Sequence, residues 1–205
     1  MKITRLATIF LFIFLFTSNY ALSNDSYNFP KTNIKQAKSI FKQIEKGNWI
    51  QALRKTKKIN DKIFNDLIYW FYLNKKKNNA SFYEYQDFFS QNTDFPNKSY
   101  LKYLWEHKIN IERIPANEII NHFKKNKPIS SFGKIRLGEA LIISGKFNKG
   151  KKLIKENFIT ANLTDSELSH LIKSYSEIIK LEDLISRAEW LSWEEKSDQL
   201  NSLMP

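Results

Sequence analysis

The sequence predicts an all-α protein made of stacked helical hairpins that form a superhelical solenoid. Between residues 33 and 205 apolar side chains recur at helical spacing, and no segment alternates apolar and polar residues as a strand would. Two segments also share one shape: a helix with small apolar residues ends at a glycine, an aromatic residue follows, and a second helix begins. These segments are AKSIFKQIEKGNWIQALRKTKKI and GEALIISGKFNKGKKLIKENFI.

Paired helices of this kind indicate how the chain packs. A single pair cannot bury its apolar face alone, so neighbouring pairs stack side by side, which we favour over a closed bundle. The register resembles that of tetratricopeptide-type repeats, although the spacing is too irregular for an array with a period of roughly 34 residues. No Gly/Ser linker or change of composition interrupts residues 33–205, so we expect one domain there.

The first 23 residues have the pattern of a secretory signal peptide. Lys2 and Arg5 precede the apolar run LATIFLFIFLF, and the small residues Ala21 and Ser23 suit the −3 and −1 positions of a cleavage site. The run is well short of the roughly 20 residues that span a bilayer, which disfavours a transmembrane anchor. We expect export to the periplasm, cleavage after Ser23, a short extension over residues 24–32, and no stable membrane insertion afterwards.

Cysteine content and charge limit the chemistry of the chain. There is no cysteine, so neither a disulfide nor lipid attachment to a cysteine can form. The formal net charge is +12, which becomes +10 when Lys2 and Arg5 leave with the signal peptide. A basic exported protein can meet anionic lipids, acidic polymers or cell-wall carboxylates, whereas export disfavours nucleic acid. The lysines are spread along the chain, and solvated helix faces are the simpler interpretation of the charge.

The first predicted hairpin spans residues 34–59. Its first helix ends at Gly47, and Asn48 is the candidate N-cap of the second helix. The next segment, NDKIFNDLIYWFYLNKKK, has apolar residues on more than one side, so we expect that helix to be buried between neighbours. The inward stripe of the first helix consists of Ile34, Ala37, Ile40, Phe41 and Ile44.

Capping residues and prolines mark the helices in the middle of the chain. Ser81 and Glu84 have the spacing of a capping box, and Pro96 forces a turn after the helix that they begin. KSYLKYLWEHKI forms the next helix, Pro115 suits the first position of another, and Pro128 ends it.

In the last third of the chain, the sequence predicts a hairpin and three further helices. Gly145 divides the hairpin, and a second capping box, Thr164 with Glu167, begins the following helix. Residues 184–205 supply the last helix pair. Trp190 and Trp193 lie three residues apart there, and we expect them to pack on one helical face.

Candidate catalytic residues are few. His107, His122 and His170 lie on separate predicted helices without carboxylates at metal-ligand spacing, which is typical of surface or boundary histidines. Glu139 is the best isolated candidate for a glycosidase acid, because it has apolar neighbours; the favoured alternative is pairing with Arg136 or Lys134. We expect no catalytic residue, no metal and no cofactor in this chain.

Aromatic residues offer a second possible function. They could present stacking faces to sugar rings, but at helical spacing such residues more often form the core. These residues are Tyr69, Trp70, Tyr72, Tyr83, Tyr85, Tyr100, Tyr103 and Trp105.

Several stretches, taken in order over residues 33–205, resemble the soluble lytic murein transglycosylases. GNWIQALRKTKKINDKIFNDLIYWFYL is similar to a paired-helix unit leading into an aromatic helix, and ASFYEYQDFFSQNTDFPNKSYL to the next unit. The segment from Pro115 to Phe158 resembles the following part. The last unit of the family has the pattern R-x-D-x-LLW, from which this chain departs at Glu189, where an aspartate is usual, and at Ser192, where a leucine is usual.

That resemblance implies a U-shaped superhelical N-terminal domain of a periplasmic enzyme that cleaves glycosidic bonds in peptidoglycan. The family's catalytic glutamate lies in a Glu-Ser-x-Phe-type motif of a lysozyme-like domain, and this sequence contains no such motif. We therefore expect a non-catalytic domain that acts on peptidoglycan glycan strands or holds a separate catalytic domain, with Pro205 near the junction. Two alternatives remain: a tetratricopeptide-like adaptor for envelope proteins or peptides, and an autonomous glycosidase that uses Glu139.

Overall fold

The computed structural model describes residues 27–203, and within that range it contains eleven α-helices, one short 3₁₀ helix and no strand. The all-α prediction is therefore confirmed for the described residues. The predicted signal peptide over residues 1–23 and the terminal Met204-Pro205 lie outside them. The chain divides into two compact units, one ending at Asp61 and one beginning at Lys62. A single domain over residues 33–205 stays a prediction.

The first unit is a helical hairpin. A 3₁₀ turn over Lys31–Asn33 leads into α1 (Ile34–Glu45), and α2 (Trp49–Thr56) packs against α1. Ile34, the first residue of α1, was expected on the buried stripe but is 42% exposed. The buried apolar residues of this unit are Ala37, Ile40, Ala52 and Ile59.

The turn between α1 and α2 is a Schellman motif. Gly47 has a φ of 76°, in the left-handed region that favours glycine. The N–H of Gly47 donates to the carbonyl of Ile44 and that of Asn48 to the carbonyl of Gln43, both at 2.9 Å. The predicted glycine stop is confirmed. Asn48 occupies the N-cap position, but its side chain donates to Gln43 and caps no N–H of α2.

The second unit holds the other helices: α3 (Lys62–Leu73), α4 (Phe82–Gln91), α5 (Lys98–Glu106), α6 (Ala116–Lys125), α7 (Ser131–Ile143), α8 (Phe147–Phe158), α9 (Asp165–Ser174), α10 (Leu181–Trp193) and α11 (Ser197–Asn201). α3 is largely buried, as predicted, although Ile63 at its start is 57% exposed. Between residues 27 and 203 none of the helices combines the length and apolarity that crossing a bilayer requires.

Both predicted capping boxes are present. Ser81 accepts from the N–H of Glu84 at 3.2 Å, while Glu84 accepts from the N–H of Ser81 at 2.8 Å. Thr164 and Glu167 form the same pair of bonds at the start of α9. Pro115 lies at the N-cap of α6, one position before the predicted one.

The α7–α8 hairpin packs backbone against backbone. Its turn at Gly145, with a φ of 77°, repeats the two hydrogen bonds of the first hairpin. Gly138 and Gly150 face each other across the pair, and a Cβ on Gly138 would lie 2.9 Å from the carbonyl oxygen of Gly150. Glycine at both positions is what allows the two helices to come this close. The buried core around them includes Phe132, Ile135, Ile154, Phe158 and Ala161.

Glu106, the last residue of α5, completes the start of α7. Its carboxylate accepts from the N–H of Ile129 at 2.6 Å, from the N–H of Ser130 at 2.9 Å, and from the Ser130 hydroxyl. Gly133 leaves room for this carboxylate, because a Cβ there would lie 2.5 Å from Cδ of Glu106. Burial raises the pKa of Glu106, and its hydrogen bonds oppose that rise.

The inward face of α10 carries two charged residues beside the buried Leu191. Asp183 and Arg187 are buried on it, whereas Leu181, Ile185 and Trp193 are 69%, 51% and 87% exposed. The prediction that Trp193 packs inward is therefore wrong, because polar side chains occupy the inward face.

Arg187 can be buried because its guanidinium has hydrogen-bond acceptors on the inner side of α10. Its Nη1 donates to the carbonyls of Phe158, Ile159 and Ala161 at 2.7, 3.0 and 3.0 Å, and its Nη2 donates to Gln199 at 3.1 Å. The guanidinium thus satisfies carbonyls at the C-terminal end of α8, where a cation is also favoured by the helix dipole. Burial lowers the pKa of Arg187 to about 10.

Candidate functional site

A polar cavity of about 640 Å³ lies in the second unit. Its walls are the start of α4, the loop of residues 107–114 between α5 and α6, Arg136 on α7, and the first turns of α9. This volume falls in the range of roughly 300–1,000 Å³ that is common for small-molecule sites. The charged groups and histidines that face it are His107, Lys108, Glu112, Arg113, Arg136, Glu167 and His170.

Glu139 lies behind the cavity wall and is fully buried. Its Oε2 accepts from Nη1 of Arg136 at 2.6 Å, so the pairing with Arg136 that the sequence favoured is confirmed. Its Oε1 lies 3.0 Å from Nε2 of His170. Both oxygens of the carboxylate are therefore engaged, and neither is exposed to a ligand in the cavity.

His170 contacts Glu139 although no carboxylate stands at metal-ligand spacing from it in the sequence. The two residues lie 31 positions apart, on α9 and α7, so their spacing along the chain carries no signal of the contact. An ionised carboxylate is an acceptor only, so His170 donates to Glu139 from Nε2. Burial and the charge of Glu139 raise the pKa of the neighbouring Tyr175 to about 12.

Arg136 connects this buried pair to the cavity. Its Nη2 lies 3.4 Å from Oε1 of Glu167, and its guanidinium stacks on Phe132 with Cζ 4.6 Å from the ring centroid. Arg136 is only 6% exposed, yet its Nε has no hydrogen-bond partner among the described residues. A buried donor without a partner costs free energy, and this nitrogen is enclosed by protein atoms.

His107 provides a second unpartnered nitrogen at the cavity. Its ring stacks on Phe132 at 4.3 Å between centroids and lies 4.5 Å from the ring of Tyr103. Its Nε2 is buried and has no partner among the residues that the structure describes. Burial lowers the pKa of His107 to about 4, so the ring is neutral at pH 7.

Two cations and a carboxylate that line the cavity are less buried than Arg136. Lys108 donates to the carbonyl of Asn78 at 2.6 Å, and burial lowers its pKa. Arg113 and Glu112 are exposed on the loop between α5 and α6. The cavity therefore presents both signs of charge.

The third histidine is half-buried at the edge of the core. His122 packs against Trp105, with ring centroids 4.2 Å apart, and against Phe82 and Phe123. Burial lowers its pKa to about 4. Between residues 27 and 203 no three His, Asp or Glu side chains come together in a way that could hold a metal ion.

The candidate aromatic residues divide between core and surface. Tyr83 and Tyr100 are 46% and 39% exposed, while Tyr69 donates to Glu84 at 2.7 Å from a half-buried position. The core interpretation is confirmed for four of the eight, Trp70, Tyr72, Tyr85 and Trp105. The exposed tyrosines lie on different helices, α4 and α5, so no continuous stacking surface follows from exposure alone.

Fold and cavity together define an all-α protein with a polar cavity in its second unit. No protein-family model, no curated protein and no solved structure matches this chain.

Proposed function

We propose that this chain is a non-catalytic superhelical module of the periplasmic machinery that turns over peptidoglycan. In this proposal it binds peptidoglycan as a scaffold, like the N-terminal part of the lytic transglycosylases that its sequence resembles. The main observation behind the proposal is that the Glu139 carboxylate is buried and is bound by both Arg136 and His170. A glycosidase acid must reach the scissile oxygen, which a carboxylate held in this way does not.

The hairpin turns support the superhelical part of the proposal. The turns of α1–α2, α7–α8 and α10–α11 each contain one residue with positive φ: Gly47, Gly145 and Glu195. In all three, that residue and the next donate to the same two carbonyl positions of the preceding helix. A recurring hairpin geometry is what helical-repeat proteins stack into superhelices.

Charge and targeting support the proposed partner. A chain with a net charge of +12 is attracted to an anionic polymer, and the signal-peptide pattern of residues 1–23 directs it to the compartment where peptidoglycan lies.

Sedimentation with purified sacculi tests this function. We expect the exported chain to pellet with sacculi and to release no 1,6-anhydro muropeptides when incubated with them alone. Basic proteins adhere to anionic polymers without specificity, so the assay is run at both low and high salt. Only specific binding persists at high salt. A chain that stays in the supernatant at both salt concentrations contradicts the proposal, and anhydro products would assign catalysis to it.

The second candidate function is an adaptor for envelope proteins or peptides, and the exposed apolar side chains of α10 favour it. Leu181, Ile185 and Trp193 are exposed on that helix, with the exposed Glu189 between the last two. An adaptor would remain in the supernatant with sacculi, and Trp193→Ser would then abolish capture of its partner.

A further inference from the structure

We propose that the turn between α7 and α8 docks on the surface of an anionic lipid bilayer. In this arrangement the hairpin tip, residues 143–149, places its apolar side chains among the lipid headgroups and its lysines against their phosphates. The inference goes beyond the proposed function and does not rest on it.

The hairpin tip is exposed throughout. All seven of its residues are exposed, and burial resumes at Gly150. Ile143, the last residue of α7, is 60% exposed, and Phe147, the first residue of α8, is 51% exposed. Only the residues 144–146 separate them, so two large apolar side chains flank a single turn with more than half of each residue open to solvent.

The geometry of the turn does not require apolar residues at these two positions. The first hairpin has the same pair of hydrogen bonds, and there Glu45 occupies the position of Ile143, two residues before the glycine. Trp49, the counterpart of Phe147, is half-buried in that hairpin. Exposure of two apolar residues is therefore a property of the α7–α8 turn and not of the turn type.

The charge around the hairpin tip has one sign. Residues 140–155 contain five lysines and neither aspartate nor glutamate. The first ion pair of α8 joins Lys152 to Glu156 at 3.7 Å. The lysines closer to the turn are exposed and form no ion pair with any described residue: Lys146, Lys149 and Lys151. The tip thus combines an apolar surface with positive charge that no carboxylate neutralises.

A bilayer with anionic headgroups is the partner that uses both features. Aliphatic and aromatic side chains are accommodated at the boundary between headgroups and acyl chains, and each lysine near an anionic bilayer adds to the attraction. An acidic polymer would satisfy the lysines but leave Ile143 and Phe147 in water. A second copy of this chain would bring like charge to the same tip. A tip that is exposed on every residue also needs no cavity in its partner.

The hairpin tip is held in shape before it meets a bilayer. Gly145, with a φ of 77°, closes the turn, and Gly138 and Gly150 allow backbone contact between the two helices that carry it. An ordered tip loses little conformational entropy on docking, so more of the contact energy is available for binding.

Vesicle sedimentation tests the proposal. The chain is purified after export, and mass analysis first shows that residues 1–23 are gone, because their apolar run would bind lipid by itself. The vesicles contain either phosphatidylcholine alone or phosphatidylcholine and phosphatidylglycerol in equal amounts. At about 0.15 M salt we expect the chain to pellet with the mixed vesicles and to stay in the supernatant with the neutral ones.

Substitutions at the tip separate its two contributions. Lys149→Gln combined with Lys151→Gln should weaken binding to mixed vesicles roughly 25-fold, because each lysine contributes about fivefold. Ile143→Ser and Phe147→Ser should each weaken binding by about fivefold to tenfold, since each removes apolar area that the bilayer buries.

Matched controls lie elsewhere in the same unit. Lys124→Gln combined with Lys125→Gln, on α6, removes the same charge from exposed positions. Ile63→Ser, on α3, removes an isoleucine that is 57% exposed. Both controls should bind mixed vesicles as the parent does, and circular dichroism checks that every variant retains its helices.

The outcomes decide between lipid and other partners. Binding to neither kind of vesicle, equal binding to both, or equal losses in the tip variants and their controls would refute the proposal. Binding that polyglutamate displaces, and that Ile143→Ser and Phe147→Ser leave unchanged, would identify a general polyanion surface and refute it as well. A chain that binds mixed vesicles through the tip but does not pellet with sacculi supports the docking site and refutes the cell-wall function.

Discussion

The close approach of α7 and α8 depends on two glycines, and Gly150→Ala tests that dependence. The added Cβ would lie 2.6 Å from Cγ1 and 3.0 Å from the backbone nitrogen of Ile142, and closer still to the carbonyl oxygen of Gly138. Side-chain Cβ atoms normally begin contact near 3.4 Å. Because two of the obstructing atoms are backbone, rotation of a side chain cannot relieve the clash, and α8 must move away from α7.

Two opposing effects set the magnitude. Overpacking of a close contact costs about 1–3 kcal/mol, while alanine in a helix is favoured over glycine by about 1 kcal/mol. Since backbone atoms obstruct the Cβ, the upper end of the first range applies, and we expect the free energy of unfolding to fall by about 2 kcal/mol. For a protein of this size that corresponds to a fall in Tm of roughly 4–8 °C.

Urea unfolding followed by circular dichroism measures the change. Lys149→Ala, at the adjacent exposed position, is the control and should stay within about 0.5 kcal/mol of the parent. The double variant Gly138→Ala, Gly150→Ala should lose about 1 kcal/mol less than the sum of the singles, because the first alanine already separates the helices. An unchanged Gly150→Ala variant, or strictly additive losses, would refute the proposed backbone contact.

Three further predictions concern the end of the chain and the histidines. Glu195→Gly should raise the free energy of unfolding by about 1 kcal/mol, because Glu195 has a φ of 54°, which favours glycine. Glu194→Gly is the control: Glu194 has a φ of −83°, so glycine there should lower the free energy of unfolding by about 0.5–1 kcal/mol. Thermal melts of both variants measure the two changes. Arg187→Met should lower the free energy of unfolding by about 3 kcal/mol, because it removes the donor to three carbonyls, and Arg187→Lys should recover part of the loss in the same urea assay. The folded-state pKa of His122 and of His107 is about 4 against 6.5 for a free histidine, so between those values the unfolded chain binds protons that the folded chain does not. Stability should therefore fall as the pH drops from 6.5 to 4, by about 1–2 kcal/mol for each histidine once solvent screening of these half-buried rings is allowed for, and His122→Phe should show a clearly smaller fall across that window. An equal pH dependence in parent and variant would contradict the assignment.

Features encoded within four or five residues could be predicted from the sequence. The capping boxes at Ser81 and Thr164 and the glycine turns at Gly47 and Gly145 are local signals, and the structure confirms all four. The turn at Glu195 has the same hydrogen bonds without a glycine, so its residue type gave no indication of it.

Hydrophobic periodicity failed on α10 for a physical reason. The method assumes that apolar residues face inward, but the carbonyls at the end of α8 need a donor, and Arg187 supplies it from the inward face of α10. Trp193 is displaced to the surface as a result, and Trp190 is half-buried, with the ammonium of Lys196 at 3.9 Å from its ring.

The cavity could not be predicted because its groups come from helices far apart in the sequence. Glu139 and Arg136 are three residues apart and their pairing was foreseeable, whereas His170 and Glu167 reach them only after α9 has packed against α7. The unpartnered nitrogen of Arg136 follows from that packing and has no counterpart in the residue pattern.

The carboxylate of Glu106 has a consequence for the order in which the chain can fold. A ribosome releases α5 more than twenty residues before Ser130, so the acceptor for the first amides of α7 is already present when that helix is synthesised. A fragment that starts after residue 106 lacks this acceptor and would leave the beginning of α7 frayed. Synthesis from the N-terminus thus produces α5 before α7, which is the order that the α7–α8 hairpin requires.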